Sequence, residues 1–163
     1  MTGPPPQPST RKVLSAWNQA NLPPEEVFQC TDRSRDKERQ IVGHGKPLYA
    51  PEDVLAILSK GEDSILLWTE KCNADVRNLG WDNEDVVALL KHALTAGNKL
   101  PPQWCCQNPT GPVAACDAIS VLRKEEHPSK VGVVIWPKYY IKFAISKTGK
   151  VVLIISCHTD EQK

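Results

Sequence analysis

The chain reads as an α+β domain in which helices pack on a C-terminal, mainly antiparallel sheet of about four strands. Three observations carry this expectation. Apolar residues recur at helical spacing in residues 51–60 and 82–97, and the stretch 138–158 alternates β-branched and aromatic residues about a glycine turn. The helical patterns also come first and the strand patterns last. With 163 residues, one domain with a proper core is the default.

Composition narrows the function classes. A formal net charge of +1 removes whole-protein electrostatics as an argument for nucleic-acid binding, so any basic patch must be local. No apolar run approaches the ~18 residues of a membrane span. The opening MTGPPPQPSTRK lacks an apolar signal region, and a cytoplasmic protein is expected. The six cysteines form no CxxC pair, and adjacent Cys105 and Cys106 do not have a usual zinc spacing. Reduced thiols acting as small buried hydrophobes are expected, with no metal and no cofactor. The His-x-Glu and Pro-Cys-x-x-Cys signatures of zinc nucleobase deaminases are absent, as is a Gly-rich phosphate-cradling loop.

Taken in order, residues 1–9 form a Pro-rich tail with nothing to pack, and residues 10–45 a helical extension. Within the extension a short helix is expected over residues 10–22, with Val13, Leu14 and Trp17 on one side and Pro23 and Pro24 ending it. Glu25 and Glu26 can open another helix at its positively polarised end. The charge-dense CTDRSRDKERQIV reads as a solvated helix or loop in which acids dilute the basic residues, with an RNA-contacting arm as the alternative. The main domain spans 46–163. Pro51 at a first turn, Glu52 and Asp53 behind it, then Val54, Leu55, Ile57 and Leu58, with Gly61 beyond, predict a helix. SILLW is a strand or a helix start. Residues 69–79 read as a helix closed by Gly80, and Asp82 caps a third helix whose stripe includes Val86, Leu89, Leu90 and Ala93, with Gly97 stopping it. KLPPQWCCQNPTGPVAAC reads as a long, turn-rich loop, of a length that is usually functional or mobile. AACDAISVLRKE and KVGVVIW read as two strands, and Pro137 separates the second from the final hairpin.

In that hairpin a three-residue loop with Gly149 in the left-handed conformation pairs Ser146 with Lys150. Tyr139, Ile141, Phe143 and Ile145 then share a core face with Val151, Leu153, Ile155 and Cys157. The opposite face carries Lys138, Tyr140, Lys142, Ser156 and His158 around Ala144, Val152 and Ile154, with Tyr140 opposite Ser156 and diagonal to His158. A phenol, two ammonium groups and an imidazole on one surface suit proton transfer beside an anion.

The segments PLYAPEDVLAILSKG, NADVRNLGWDNEDVVALLKHAL, YYIKFAI and VVLIISCH resemble the motility quorum-sensing regulator toxins over residues 46–158. Those are RelE-like, metal-independent messenger-RNA endoribonucleases held by a protein antitoxin. Tyr140 and Lys142 match the Tyr and Lys of the family's penultimate strand, and His158 stands where the family has a Lys. The family's Phe-Tyr-Lys-Ser motif, with its catalytic Lys, is replaced by QWCCQ, and its Trp-Gln-Asp motif survives as Cys116 and Asp117. The resemblance implies cleavage by attack of the ribose 2′-hydroxyl on the adjacent phosphate. His158 would be the acid or base, Tyr140 would aid proton transfer or stack a base, and Lys142 with Arg123 would stabilise phosphate charge. Lys138, Ser156, Trp104 and Gln107 are the remaining RNA-binding residues expected, and an antitoxin or immunity protein is the expected partner. Two other readings stand beside this one. The first is a non-catalytic binding or immunity module on the same scaffold, and the second a thiol enzyme using Cys105 or Cys106 with His158 as base.

Overall fold

The computed structural model describes residues 12–17, 41, 46–108 and 111–159. It is an α+β fold with helices α1 (Pro51–Leu58), α2 (Glu70–Asn78) and α3 (Asn83–Ala96). The strands are β1 (Ile65–Leu67), β2 (Asn98–Cys106), β3 (Val113–Leu122), β4 (Glu125–Glu126), β5 (Val134–Ile135), β6 (Lys138–Ile145) and β7 (Val152–Thr159). A five-stranded sheet runs β1-β7-β6-β3-β2, with only β1 parallel to its neighbour, and β4 pairs with β5 separately. No described helix is long and apolar enough to cross a membrane. The tail at 1–9, the charged segment and most of the 10–45 extension lie outside the described residues.

Local chemistry explains the helices. Pro51 occupies the first turn of α1 without losing a hydrogen bond, and Glu52 and Asp53 favour its positive end. The Thr69 side chain caps α2 by accepting from the Cys72 amide at 3.0 Å. At α3, Asp82 accepts from the Asp85 amide at 3.1 Å while Asp85 accepts from the Asp82 amide at 3.0 Å, a reciprocal cap. Gly97 ends α3 where a Cβ would collide with the Ile119 side chain, so only glycine lets the chain pass so close to β3. SILLW resolves as the edge strand β1, because three residues beside β7 are too few for a helix and can complete the sheet.

Three sequence expectations are corrected. Residues 12–17 are extended rather than helical: Val13 bridges Val113, Ser15 bridges Ser146, and the Leu14 amide donates to the Val113 carbonyl at 2.9 Å. This segment fills the wedge that opens where β3 and β6 part beyond the Asp117 and Phe143 pair. Ladder hydrogen bonds from both flanking strands outweigh a helix of marginal length. The supposed loop at 99–116 contains β2 and the start of β3. Pro101 and Pro102 sit at a register shift between Leu100 and Gln103 on an edge strand, where a missing N–H costs least. KVGVVIW contributes only Val134 and Ile135, outside the main sheet.

The core lies between the helices and one face of the sheet, where Leu58, Leu89, Leu90, Ile119, Ile141, Phe143 and Ile154 are all but fully buried. Asp117 enters this side as a buried carboxylate and accepts the Leu48 and Tyr49 amides at 2.9 and 3.0 Å, tying the entry to α1 onto β3. Cys72 of α2 and Cys157 of β7 are also buried here. Burial pushes each thiol up from 9.0 to about 12. Because the folded value lies above the unfolded one, this stabilisation is fully present below about pH 9. It is then lost as pH rises toward about 12, on the order of 1.4 kcal/mol per thiol per pH unit. Urea midpoints should therefore fall between about pH 8 and about pH 10. The fall should be shallower in the Cys72→Ala, Cys157→Ala double variant, and an equal slope would remove these thiols as its cause.

Candidate active site on the open face of the sheet

The site depends on how β6 and β7 pair. The turn is one residue longer than expected: the Ser146 amide donates to the Val151 carbonyl at 2.9 Å, and the Gly149 amide to the Ser146 carbonyl at 2.8 Å. Gly149 has the expected left-handed φ of 74°. Ser146 is held in this pairing by its hydroxyl, which the Val151 amide reaches at 3.3 Å, and by its bridge to Ser15 on the other edge. Ile145 therefore faces Val152, and Phe143 faces Ile154. Val152 and Ile154 join the helix-side core, and Leu153 lies with Ala144, the reverse of the expected assignment in this half.

A bulge then restores the alternation. Between Phe143 opposite Ile154 and Lys142 opposite Ser156, Ile155 is the extra residue. Its carbonyl accepts the Thr69 hydroxyl at 2.9 Å, so the residue that caps α2 also satisfies the bulge. Beyond it Lys142 pairs with Ser156, Ile141 with Cys157 and Tyr140 with His158. Tyr140, Lys142, Ser156 and His158 thus share the face away from the helices, as expected, with His158 directly opposite Tyr140 rather than diagonal to it.

This face is the inside of a curl. A flat five-stranded sheet would separate its edge strands by about 19 Å. Yet the Gln107 side-chain Nε2, just past β2, donates to the Trp68 carbonyl, just past β1, at 3.1 Å. Helices occupy the other side, so the edges can meet only on the Lys142 side. The residues of β3 on the inside are Ala114, Cys116, Ala118 and Ser120, small enough to line a tight concave surface, and all are buried.

Within the curl, Lys142 Nζ donates to Gln103 Oε1 at 3.0 Å and lies 5.7 Å from the Tyr140 ring centroid. The Tyr140 and His158 rings stack at 5.3 Å with an interplanar angle of 23°. His158 Nδ1 lies 2.9 Å from the Thr159 carbonyl. A carbonyl only accepts, so Nδ1 carries hydrogen and the neutral ring presents the Nε2 lone pair. Burial pushes the Tyr140 phenol up, against the pull of the Lys142 ammonium, so it stays protonated at neutral pH. Burial works against the Lys142 ammonium, and Cys105, Tyr140 and Cys116 outweigh it as they ionise, raising its pKa above the ordinary value. The site therefore holds a fixed cation, a phenol that can donate a proton, and an imidazole nitrogen that can accept one.

Of the other expected site residues, Lys138 keeps its expected face, and Arg123, Trp104 and Gln107 do not join Lys142. Lys138, opposite Leu122, lies on the same face one step beyond Tyr140. Arg123 is on the helix side, its guanidinium 5.0 Å from both the Trp81 and Tyr139 rings and paired with Glu125 at 2.6 Å, so it does not join Lys142. Trp104 is 4% exposed in a small second core with Val113 and Ala115 and stands edge-on to Trp17 at 5.6 Å, which removes it as a base-stacking surface. Gln107 ties the sheet edges together. Cys106 is disulfide-bonded, which corrects the expectation of reduced thiols there and withdraws it as a nucleophile. Cys105 is a buried thiol beside Cys116, and burial holds the Cys116 thiol well up. The sequence reading missed Gln103 and the thiol floor, although the small residues at every second position of β3 were a legible sign of a crowded face. No family model, curated protein or solved structure matches this chain.

Proposed function

We propose that this chain is a toxin-like, metal-independent endoribonuclease on a RelE-like scaffold. The observation that carries the reading is the stacked Tyr140 and His158 pair with the Lys142 ammonium beside it, inside one concave face. His158 Nε2 takes the proton of a ribose 2′-hydroxyl, and the freed oxygen bonds to the adjacent phosphorus. Lys142 balances charge on the phosphoryl oxygens, and Tyr140 gives its proton to the departing 5′-oxygen. The products are a 2′,3′-cyclic phosphate and a 5′-hydroxyl, and proton return from His158 to Tyr140 resets the site. Lys138 and Ser156 flank the path of the strand. Cytoplasmic action under the control of a protein antitoxin belongs to the same reading.

Purified protein is expected to cut RNA in the presence of chelator and to spare an RNA with a single 2′-deoxyribose at the scissile position. Cutting through that position, or no cutting at all, sinks the mechanism. A non-catalytic binding or immunity module is the second reading. It is favoured by β2, which brings Gln103 and thiols to the site where the resembling family has a catalytic Lys. Harmless expression with tight protein binding supports the module, and growth arrest supports the nuclease.

A further inference from the structure

The two-stranded ribbon is not a separate unit but the outer continuation of β3 and β6. Their pairing runs in one unbroken register from Asp117 opposite Phe143 to Leu122 opposite Lys138. The Arg123 amide then donates to the Pro137 carbonyl at 3.2 Å, Glu125 faces Ile135, Glu126 faces Val134, and the His127 amide donates to the Val133 carbonyl at 2.8 Å. Alternation along this ladder puts Lys124 and Trp136, an opposed pair, on the same face as Lys138, Tyr140 and Lys142.

One side of the ribbon's base is fixed. Arg123 sits against Trp81 and Tyr139, and Glu125 Oε2 accepts the Tyr139 hydroxyl at 2.6 Å. The other side faces solvent, with Trp136 60% exposed and Leu122 55% exposed. From Trp136 inward to Lys142, this face of β3 and β6 carries no carboxylate, while Lys124, Lys138 and Lys142 line it. Glu126 comes one pair beyond Trp136 and marks the outer end of the basic stretch.

We propose that this face is a single-stranded nucleic-acid platform, on which Trp136 stacks an unpaired base while Lys124 and Lys138 follow the phosphates toward Tyr140 and His158. The proposal deepens the ribonuclease reading and rests on it for the strand's destination. Tyr140 lies four positions along the chain from Trp136, about 14 Å when extended, so the ligand is a strand rather than a single nucleotide. An aromatic face accepts any base, and paired bases in a duplex do not offer theirs.

The test uses the full chain and labelled, non-cleavable 2′-O-methyl RNA of about 12 nucleotides, within the range one such platform covers. Trp136→Ala should weaken single-strand binding by about 5- to 150-fold, with Trp136→Phe restoring most of it and duplex binding unmoved. Lys124→Glu should weaken binding and flatten its dependence on salt. Unchanged melting temperatures keep the comparison one of binding. Equal single-strand affinity in Trp136→Ala overturns the proposal, as does an equal loss on duplex. Failure of the unaltered chain to bind the strand, with Trp136 instead needed by a protein partner, also overturns it. Cleavage of ordinary RNA separates the two claims. Trp136-dependent binding without cleavage removes the nuclease alone, and cleavage with Trp136-independent binding removes the platform alone.

Discussion

Replacing His158 by alanine should slow RNA cleavage by about 10²- to 10⁴-fold, the usual contribution of a positioned acid or base. The expectation follows from one hydrogen bond and one stack. The Thr159 carbonyl assigns hydrogen to Nδ1 and leaves Nε2 to accept a proton, while the Tyr140 ring fixes the plane in which that nitrogen points. Tyr140→Phe keeps the stack and removes only the phenolic proton. It should cost less than the His158 change and act on the step in which the 5′-oxygen leaves. Single-turnover rates with both variants, on substrates with ordinary and activated leaving groups, check the assignment. An activated leaving group should rescue Tyr140→Phe and not His158→Ala. Unchanged cleavage in both variants removes these residues from the mechanism.

Phe143→Ala should cost about 3–5 kcal/mol of folding stability, the largest single loss expected in the core. Phe143 is 1% exposed, and it is the largest of the side chains that are all but fully buried. It lies at the point where β6 changes register against β7 and where the β3 and β6 ladder ends. Strands on both sides hold the backbone there, so the site cannot close over the void. Phe143→Leu fills most of the space and should cost much less. Urea unfolding of both variants measures the difference. A loss below about 1.5 kcal/mol for the alanine variant would mean the site collapses readily, contrary to this packing.

The two predictions meet at one structural feature. Phe143 in the core and Lys142 in the curl flank the bulge at Ile155, which turns Ser156 and His158 toward Tyr140. Without it, the pairing at the turn, extended along β7, would put Ser156 and His158 on the helix side. The Thr69 hydroxyl on the Ile155 carbonyl is therefore a positioning contact for the site as well as a tie between α2 and β7.

What the residues determined alone were features of short range. Pro51, Asp82, Gly80 and Gly97 mark where helices begin and end because caps and special backbone angles act over a turn or less. The hairpin stretch carried its own periodicity, which put Tyr140 with Lys142 on one strand and Ser156 with His158 on the other, while the bulge decided that the two pairs share one face. Tertiary structure decided the rest. Residues 12–17 became strand-like because a gap between β3 and β6 offered ladder partners that no local pattern announces. Trp104 and Arg123 left the expected site because strand parity, set by pairing with distant residues, turned them the other way. Which residue faces Tyr140 was settled by a Ser146 hydroxyl, a bulge and a threonine from α2, contacts that exist only once the chain has closed on itself.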